Sequence, residues 1–336
     1  MKVLITGATG FIGYHLAARL VAEGHAVRAL VRSLEKAQGV LGPLDIPSKD
    51  LVQGDMTDPL AARRALEGCD AAVHAAASVS VTKSGTDFDA NLAGTRVVVG
   101  GACELGLETL FVSSMTAIFD PRAIMQDDSP LVSGRTRYGR SKADCDRFVR
   151  SLQDAGAPVG IVYPSGVVGP DDPGMSESVK AYRAFLRGTL QSEGGNQMVD
   201  VRDLALLMMR MLEARVRGRV AAGGHFHDWD EFTRLLEAVT GAKIPRVRAP
   251  GWALRIAARS MDLVGAWTGR RMPMTGEGIE IATRVRPMRD SPRISELGVT
   301  WRDADRTLRD LFQWLLDQGR LPASAVPALE RRGGEA

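Results

Sequence analysis

The chain has 336 residues, 45% hydrophobic and 25% charged, a folded-protein composition that excludes a disordered, collagenous or disulfide-scaffolded polypeptide. Its 43 Lys and Arg stand against 40 Asp and Glu, and a net charge of +3 is too small for a dedicated nucleic-acid binder. Cys69, Cys103 and Cys145 have no paired spacing and read as three reduced thiols of a cytoplasmic protein.

Met1 to Ile5 reads as the start of a strand, not as a targeting segment, and Lys2 to Thr6 predicts a buried strand. A helix follows over Phe11 to Glu23, with Ile12, Leu16, Leu20 and Val21 on its apolar side and Gly24 as its stop. Further strands are expected at Ala26–Val31, Leu51–Gly54, Ala71–Ala76, Thr109–Ser113 and Val159–Tyr163. Asp58-Pro59 starts a helix that ends at Glu67, and long helices fit Thr86–Leu105 and Tyr138–Asp154. Short apolar runs alternating with helices predict a parallel sheet covered by helices. After about Gly169 the alternation becomes irregular. Two helices stand out there, Trp229–Val239 behind an Asp228/Glu231 capping box and Asp305–Asp317. No stretch is long and apolar enough to span a membrane, since Trp252–Trp267 is broken by Arg255, Arg259 and Asp262.

The first strand runs into Thr6-Gly7-Ala8-Thr9-Gly10-Phe11-Ile12-Gly13, and a helix follows at once. A phosphate site needs this construction. A tight turn, a close approach of backbone to pyrophosphate, and a close helix–strand contact each require a residue without Cβ. The helix N-terminus adds unpaired N–H groups and a positive dipole end.

With this G-x-x-G-x-x-G spacing the chain resembles the extended short-chain dehydrogenase/reductases. The resemblance continues through Gly54-Asp55, Val73-His74-Ala75-Ala76-Ala77, Asn91-Leu92-Ala93-Gly94-Thr95, Tyr163 to Pro170 and Val199 to Asp203. It implies an α/β fold: a Rossmann-type doubly wound parallel sheet with a smaller C-terminal substrate lobe. The expected division is a dinucleotide domain over 1–169, to which about 199–228 returns, a substrate lobe over 170–330 and a polar tail over 331–336. The cofactor-binding residues it implies are Gly7, Gly10, Phe11, Ile12, Gly13, Arg32, Asp55, Met56, Ala75, Ala76, Ala77, Asn91, Tyr138, Lys142 and Pro164.

Strand two ends Ala29-Leu30-Val31-Arg32-Ser33, without the acid that would accept hydrogen bonds from a ribose. Arg32 can pair with a 2′-phosphate and Ser33 can add a hydroxyl, so NADP(H) is expected in preference to NAD(H). Tyr138 and Lys142, four residues apart, share one helix face. A phenol is matched to protonating an alkoxide, and a nearby ammonium lowers its pKa. The resemblance places Ser114, the second residue of Ser113-Ser114, as the group that polarises the substrate oxygen, with Ser113 as the alternative register. Asn91 is either a site organiser or a helix-packing residue.

Three departures from the family shape the substrate expectation. Met115 and Thr116 follow Ser114 where sugar-nucleotide dehydratases carry an acidic pair. Tyr163-Pro164 replaces the Asn-Pro aimed at a substrate diphosphate. Phe119-Asp120 replaces a Tyr-Gly. The segment looks more like the dihydroflavonol-reductase and hydroxysteroid-dehydrogenase-like branch. The expected activity is NADP(H)-dependent hydride transfer to or from an apolar ketone, aldehyde or secondary alcohol, with Ser114, Tyr138 and Lys142 catalytic. The alternatives are a nucleotide-sugar epimerase using NAD and a non-catalytic cofactor sensor. His225 and His227 share one strand face, but lack a third metal ligand at a usual spacing. Gly241–Arg293 carries 11 basic and 4 acidic residues. It reads as a lobe with snorkelling arginines in preference to a membrane-surface patch. A small-molecule substrate is the expected partner, nucleic acid is not, and a homodimer is left open.

Overall fold

The computed structural model describes residues 1–77, 89–132, 137–258 and 276–331. Seven parallel strands form the main sheet: β1 Lys2–Thr6, β2 Ala26–Val31, β3 Leu51–Gln53, β4 Ala71–His74, β5 Glu108–Val112, β6 Val159–Pro164 and, much later in the chain, β10 Arg219–Ala222. Their order is β10-β6-β5-β4-β1-β2-β3. β1 and β2 have the expected bounds, β3 to β6 differ from theirs by one or two residues at their ends, and β10 lies outside the expected strands.

Helices cover both faces, so the central strands are buried on both sides, while the edge strand β3 is half-buried to exposed. One face carries α1 Phe11–Ala22, α2 Leu34–Leu41 and α8 Val201–Glu213. There Leu16, Leu20, Leu41, Leu204, Leu207 and Met208 pack on Val3, Ile5, Val27, Val73 and Val162. The other face carries α3 Pro59–Leu66, α4 Asp89–Thr95, α5 Gly101–Glu104 and α6 Arg137–Asp154. A π-helical turn over Arg96–Gly100 joins α4 to α5. On that side Ala61, Ala65 and Leu66 meet Leu4 and Ala72, while Val99, Cys145 and Val149 meet Phe111 and Ile161. The period-2 alternation of Val3, Leu4 and Ile5 between opposite faces is what a doubly covered strand produces.

The rest of the chain builds a second unit. β7 Gly166–Val168, β9 Gly195–Asp200 and β11 His225–Asp228 form a three-stranded sheet, and β8 Thr189–Gln191 pairs with β12 Arg246–Arg248. α7 Glu177–Phe185, α9 Trp229–Thr240 and the C-terminal helix Ala304–Asp317 enclose a separate core around Tyr182, Trp229, Phe232, Leu308, Leu311 and Phe312. The Asp228/Glu231 capping box is present at the start of α9.

Two elements between these strands belong to the main sheet. α8 lies against α1, and β10 extends the sheet beyond β6, with Ala221 beside Tyr163 and Ala222 beside Pro164. β7 and β11 instead join the small sheet around β9. The expected helix residues 86–88, the arginine-rich positions 259–275 with Trp267, and 332–336 of the polar tail lie outside the described residues. Elsewhere in the arginine-rich segment, Arg246 pairs with Glu237 at 2.9 Å and Arg255 donates to the Thr283 hydroxyl at 3.0 Å, while Trp252 and Ile256 are exposed. No described helix is long and apolar enough to cross a membrane.

Candidate functional site

The strand order reverses between β1 and β4. Connections leave these neighbours on opposite faces, and the crevice beyond their carboxyl ends is where an open α/β sheet takes a ligand. Thr6 and His74 are register partners at that point, and His74 is the partner of Phe111 on the next strand.

The glycine turn fills the floor of the crevice. Gly7 has φ +78°, and a Cβ on it would meet the backbone of Ala75 and Ala76 at 2.8–2.9 Å. The Gly10 N–H donates to the Gly7 carbonyl at 2.9 Å and closes the turn. A Cβ on Gly13 would overlap that same carbonyl, so α1 is packed as closely on the turn as backbone allows. Gly10 stands at the start of α1 in extended backbone and offers no side-chain cap. The first N–H groups of the helix therefore point into the crevice, and this cradle fits a pyrophosphate. Phe11 is buried in the second core, Ile12 is half-buried, and Ala75, Ala76 and Ala77 border the turn half-exposed.

Arg32 stands exposed just beyond β2. The Ser33 hydroxyl accepts from the Lys36 N–H at 3.2 Å and caps α2, a local task that the sequence did not single out. The Asp55 carboxylate accepts from both the N–H and the hydroxyl of Thr57, at 2.9 and 2.7 Å, and these bonds hold it below the usual carboxylate range. Met56 lies against Gly94, where a Cβ would be 2.6 Å from the Met56 Cγ, so the β3 loop reaches α4.

Tyr138 begins the first turn of α6, half-buried, and Lys142 follows one turn later with 7% exposure. The Lys142 ammonium donates to the Val112 carbonyl at 3.3 Å and lies 5.9 Å from the centre of the Phe111 ring. Burial pulls its pKa down. Asn91, 2% exposed, donates through Nδ2 to the Ser141 hydroxyl at 3.1 Å and so ties α4 to α6 between the two catalytic candidates.

The two serines after β5 diverge. Ser113 is buried and donates to the Asp146 carboxylate at 2.5 Å. Ser114 is half-exposed and accepts from the N–H and hydroxyl of Thr116 at 3.2 and 3.0 Å. Ser113 is thus committed to α6, while Ser114 keeps a half-exposed hydroxyl at the end of β5. Asp146 is completely buried and also accepts from the Tyr163 hydroxyl at 3.0 Å and from Arg150 at 2.8 Å. Tyr163 is therefore a core residue facing α6, and burial raises its phenol pKa far above normal. Pro164, also buried, ends β6 beside Ala222. Sequence reasoning missed Asp146, although its place four residues after Lys142 put it on the same helix face.

Away from the crevice, His225 bonds the Arg302 carbonyl at 2.7 Å, and its ring lies 6.4 Å from that of His227. Among the described residues no group of three or more His, Cys, Asp or Glu could hold a metal ion.

Comparison with known proteins assigns this architecture. Residues 3–224 match the model of the NAD dependent epimerase/dehydratase family, and the chain belongs to that family of extended short-chain dehydrogenase/reductases, enzymes acting on CH–OH groups. The chain is 28% identical over 333 residues to sterol demethylase protein B of Methylococcus capsulatus, covering 96% of this chain and 100% of that protein. It is 25% identical over 299 residues to 3-beta-hydroxysteroid dehydrogenase of Mycolicibacterium neoaurum, covering 81% and 79%. Its fold superposes with a TM-score of 0.70 on UDP-glucose 4-epimerase from Bifidobacterium longum, solved with NAD+ and UDP, at 19% identity over 95% of this chain and 99% of that one.

Two outcomes follow from this geometry. Gly13→Ala is expected to lower stability by about 1–3 kcal/mol, the usual cost of overpacking. Gly39→Ala, where nothing lies within 4 Å, is expected to leave stability unchanged or raise it. Urea midpoints of the two variants check the contrast. The second outcome concerns pH. His74 is pushed down to about 3 by burial, helped by the Lys142 ammonium. Its unfolded value is about 6.5. Between those values the unfolded chain binds a proton that the folded chain does not. Stability is therefore lost as pH falls from about 6.5 towards 3, by at most about 1.4 kcal/mol per pH unit from this residue. Urea midpoints across that window are expected to fall less steeply in His74→Gln than in the parent.

Proposed function

We propose that this family member is an NADP(H)-dependent oxidoreductase that moves a hydride between the nicotinamide and a largely apolar ketone, aldehyde or secondary alcohol. The observation that carries this reading is the burial of the Lys142 ammonium one helical turn beyond Tyr138. Burying a charge is costly, and a lysine kept at that depth beside a phenol favours the phenolate and brings the phenol's proton within reach of neutral pH. The glycine turn Gly7, Gly10 and Gly13, with Phe11 and Ile12, is assigned to the pyrophosphate. Asp55 and Met56 are assigned to the adenine end, Ala75 to Ala77, Asn91 and Pro164 to the walls, and Lys142 to the nicotinamide ribose.

When bound, the dinucleotide supplies or accepts the hydride. The chain's own residues handle the proton. Ser114 donates a hydrogen bond to the substrate oxygen and fixes its place. The Tyr138 hydroxyl gives its proton to that oxygen as charge develops during reduction, and takes one from the alcohol in the reverse direction. Lys142 stabilises the phenolate left behind, and Asn91 holds Ser141 on the intervening turn of α6.

Two features support the cofactor form and substrate class. The end of β2 offers an exposed Arg32 and no acid, which suits a 2′-phosphate. The Tyr163 hydroxyl is bonded to Asp146 and Arg150, so this position presents no amide to a sugar diphosphate. The sterol and hydroxysteroid names of two relatives agree with an apolar substrate.

Arg32→Asp is expected to weaken NADPH binding by at least about tenfold more than NADH binding, because a phosphate pair becomes a like-charge repulsion. Fluorescence titration of both cofactors checks this, and equal losses would remove the NADP assignment. The reaction is sought by following NADPH and NADH absorbance over a panel of ketones and aldehydes that includes 3-oxosteroids. With a substrate in hand, Tyr138→Phe is expected to fold and bind NADPH normally while turnover drops about 10²-fold or more. Lys142→Met is expected to lose both turnover and cofactor affinity. A Phe variant turning over at the parent rate would end the acid–base assignment.

A further inference from the structure

Three segments that are far apart in the chain meet on one imidazole. His74, 1% exposed, has Nδ1 2.7 Å from the Thr6 hydroxyl at the end of β1 and Nε2 3.2 Å from the Thr95 hydroxyl on α4. Its ring is stacked on Phe111, centroids 6.0 Å apart, and Phe111 in turn carries the Lys142 ammonium.

The direction of these bonds follows by elimination. The Thr95 hydroxyl lies 2.7 Å from the Asn91 carbonyl, which can only accept, so the single hydroxyl hydrogen points there. Toward His74 the Thr95 oxygen must accept, and Nε2 carries the ring hydrogen. A neutral imidazole has one N–H, so Nδ1 is bare and accepts from Thr6. The Thr6 oxygen is then free to accept from the Ala76 N–H at 3.4 Å. One continuous chain results, running from Ala76 N–H through Thr6, His74 and Thr95 to the Asn91 carbonyl. The other titratable neighbours favour the neutral ring. Lys142 opposes a second positive charge, and burial keeps the Cys145 thiol against Thr95 protonated.

We propose that His74 is a positioning residue: as the neutral Nε2–H tautomer it locks the Ala75–Ala76 backbone, which closes over Gly7, to the Asn91 end of α4. The floor of the dinucleotide crevice and the helix that buttresses Ser141 then keep one spacing. An apolar side chain of equal volume would fill the space and lose that directional tie. The inference rests on the dinucleotide reading given above, but the tautomer itself does not.

The test has two arms. Long-range proton–nitrogen NMR of the protein with isotope-labelled histidine, His74 assigned by its absence in His74→Gln, is expected to show a bare Nδ1 and a protonated Nε2. That pattern is expected to hold from about pH 5 to about pH 9, where an ordinary histidine titrates. A proton on Nδ1, or a titrating ring, would overturn the proposal. In the second arm Thr95→Val, which keeps the shape but not the hydroxyl, is expected to perturb the His74 nitrogens and weaken NADPH binding about tenfold. Thr95→Ser is expected to restore binding to within about twofold. Parent-like affinity in the Val variant would overturn the positioning role. A parent protein that binds neither NADPH nor NADH would overturn it too. The NMR arm separates that failure of the functional reading from a wrong tautomer.

Discussion

The contact between the Gly7 carbonyl and the Cα of Gly13 governs the site. It brings the first turn of α1 onto the end of β1 with no side chain between them, and every other element of the crevice is placed relative to that pair. Ala75 and Ala76 can close over Gly7 because Gly7 lacks a Cβ. α8 packs beside α1 on the same face of the sheet, so a segment nearly two hundred residues away adjoins the helix that starts at this turn. The turn consequently has no room for a Cβ at Gly7 or Gly13, and it presents the bare N–H groups of the helix start.

Around that fixed point the polar groups are sorted by burial. Hydroxyls and amides at the sheet's carboxyl edge are fully used: Thr6 and Thr95 on His74, Ser113 on Asp146, Asn91 on Ser141. In a low-dielectric interior an unmatched group would be expensive, so these bonds also define which side chains remain for a substrate. Ser114 is proposed to hold the substrate oxygen, since Ser113 is engaged with Asp146. Asp146, Arg150 and Tyr163 form an ionic and phenolic cluster, and Asp146 accepts the Ser113 hydroxyl at the end of β5.

The sheet was legible in the sequence because doubly buried parallel strands are short apolar runs and their helices repeat with a 3.6-residue period. Glycine spacing gave the turn, and the four-residue Tyr138–Lys142 spacing gave one face of α6. The second unit was harder to read. Strands β7, β8 and β9 are three to six residues long and mix Gly, Thr, Gln, Asn and Asp with apolar residues, and nothing local says that β10 returns to the main sheet while β11 does not. α2 was also missed, since Leu34–Leu41 holds a glycine and buries only Ala37 and Leu41. Contacts that turn on the tertiary partner were beyond reach. The turning of Ser113 toward Asp146 and the meeting of Thr6, His74 and Thr95 depend on which elements become neighbours, which local pattern does not encode.

The return of β10 to the edge of the main sheet has a consequence for how the chain matures. β6 is complete at Pro164, yet among the described residues its outer edge pairs with Arg219–Ala222, and α1 packs extensively against Val201–Glu213. A nascent chain that has emerged only as far as β9 therefore carries a large α/β layer with one unpaired strand edge and one uncovered helix face. Such edges invite pairing with other chains. The first unit cannot finish before much of the second has been made, so the two are stitched by order of synthesis as well as by contact. Cutting the chain between them would leave neither half with a closed surface.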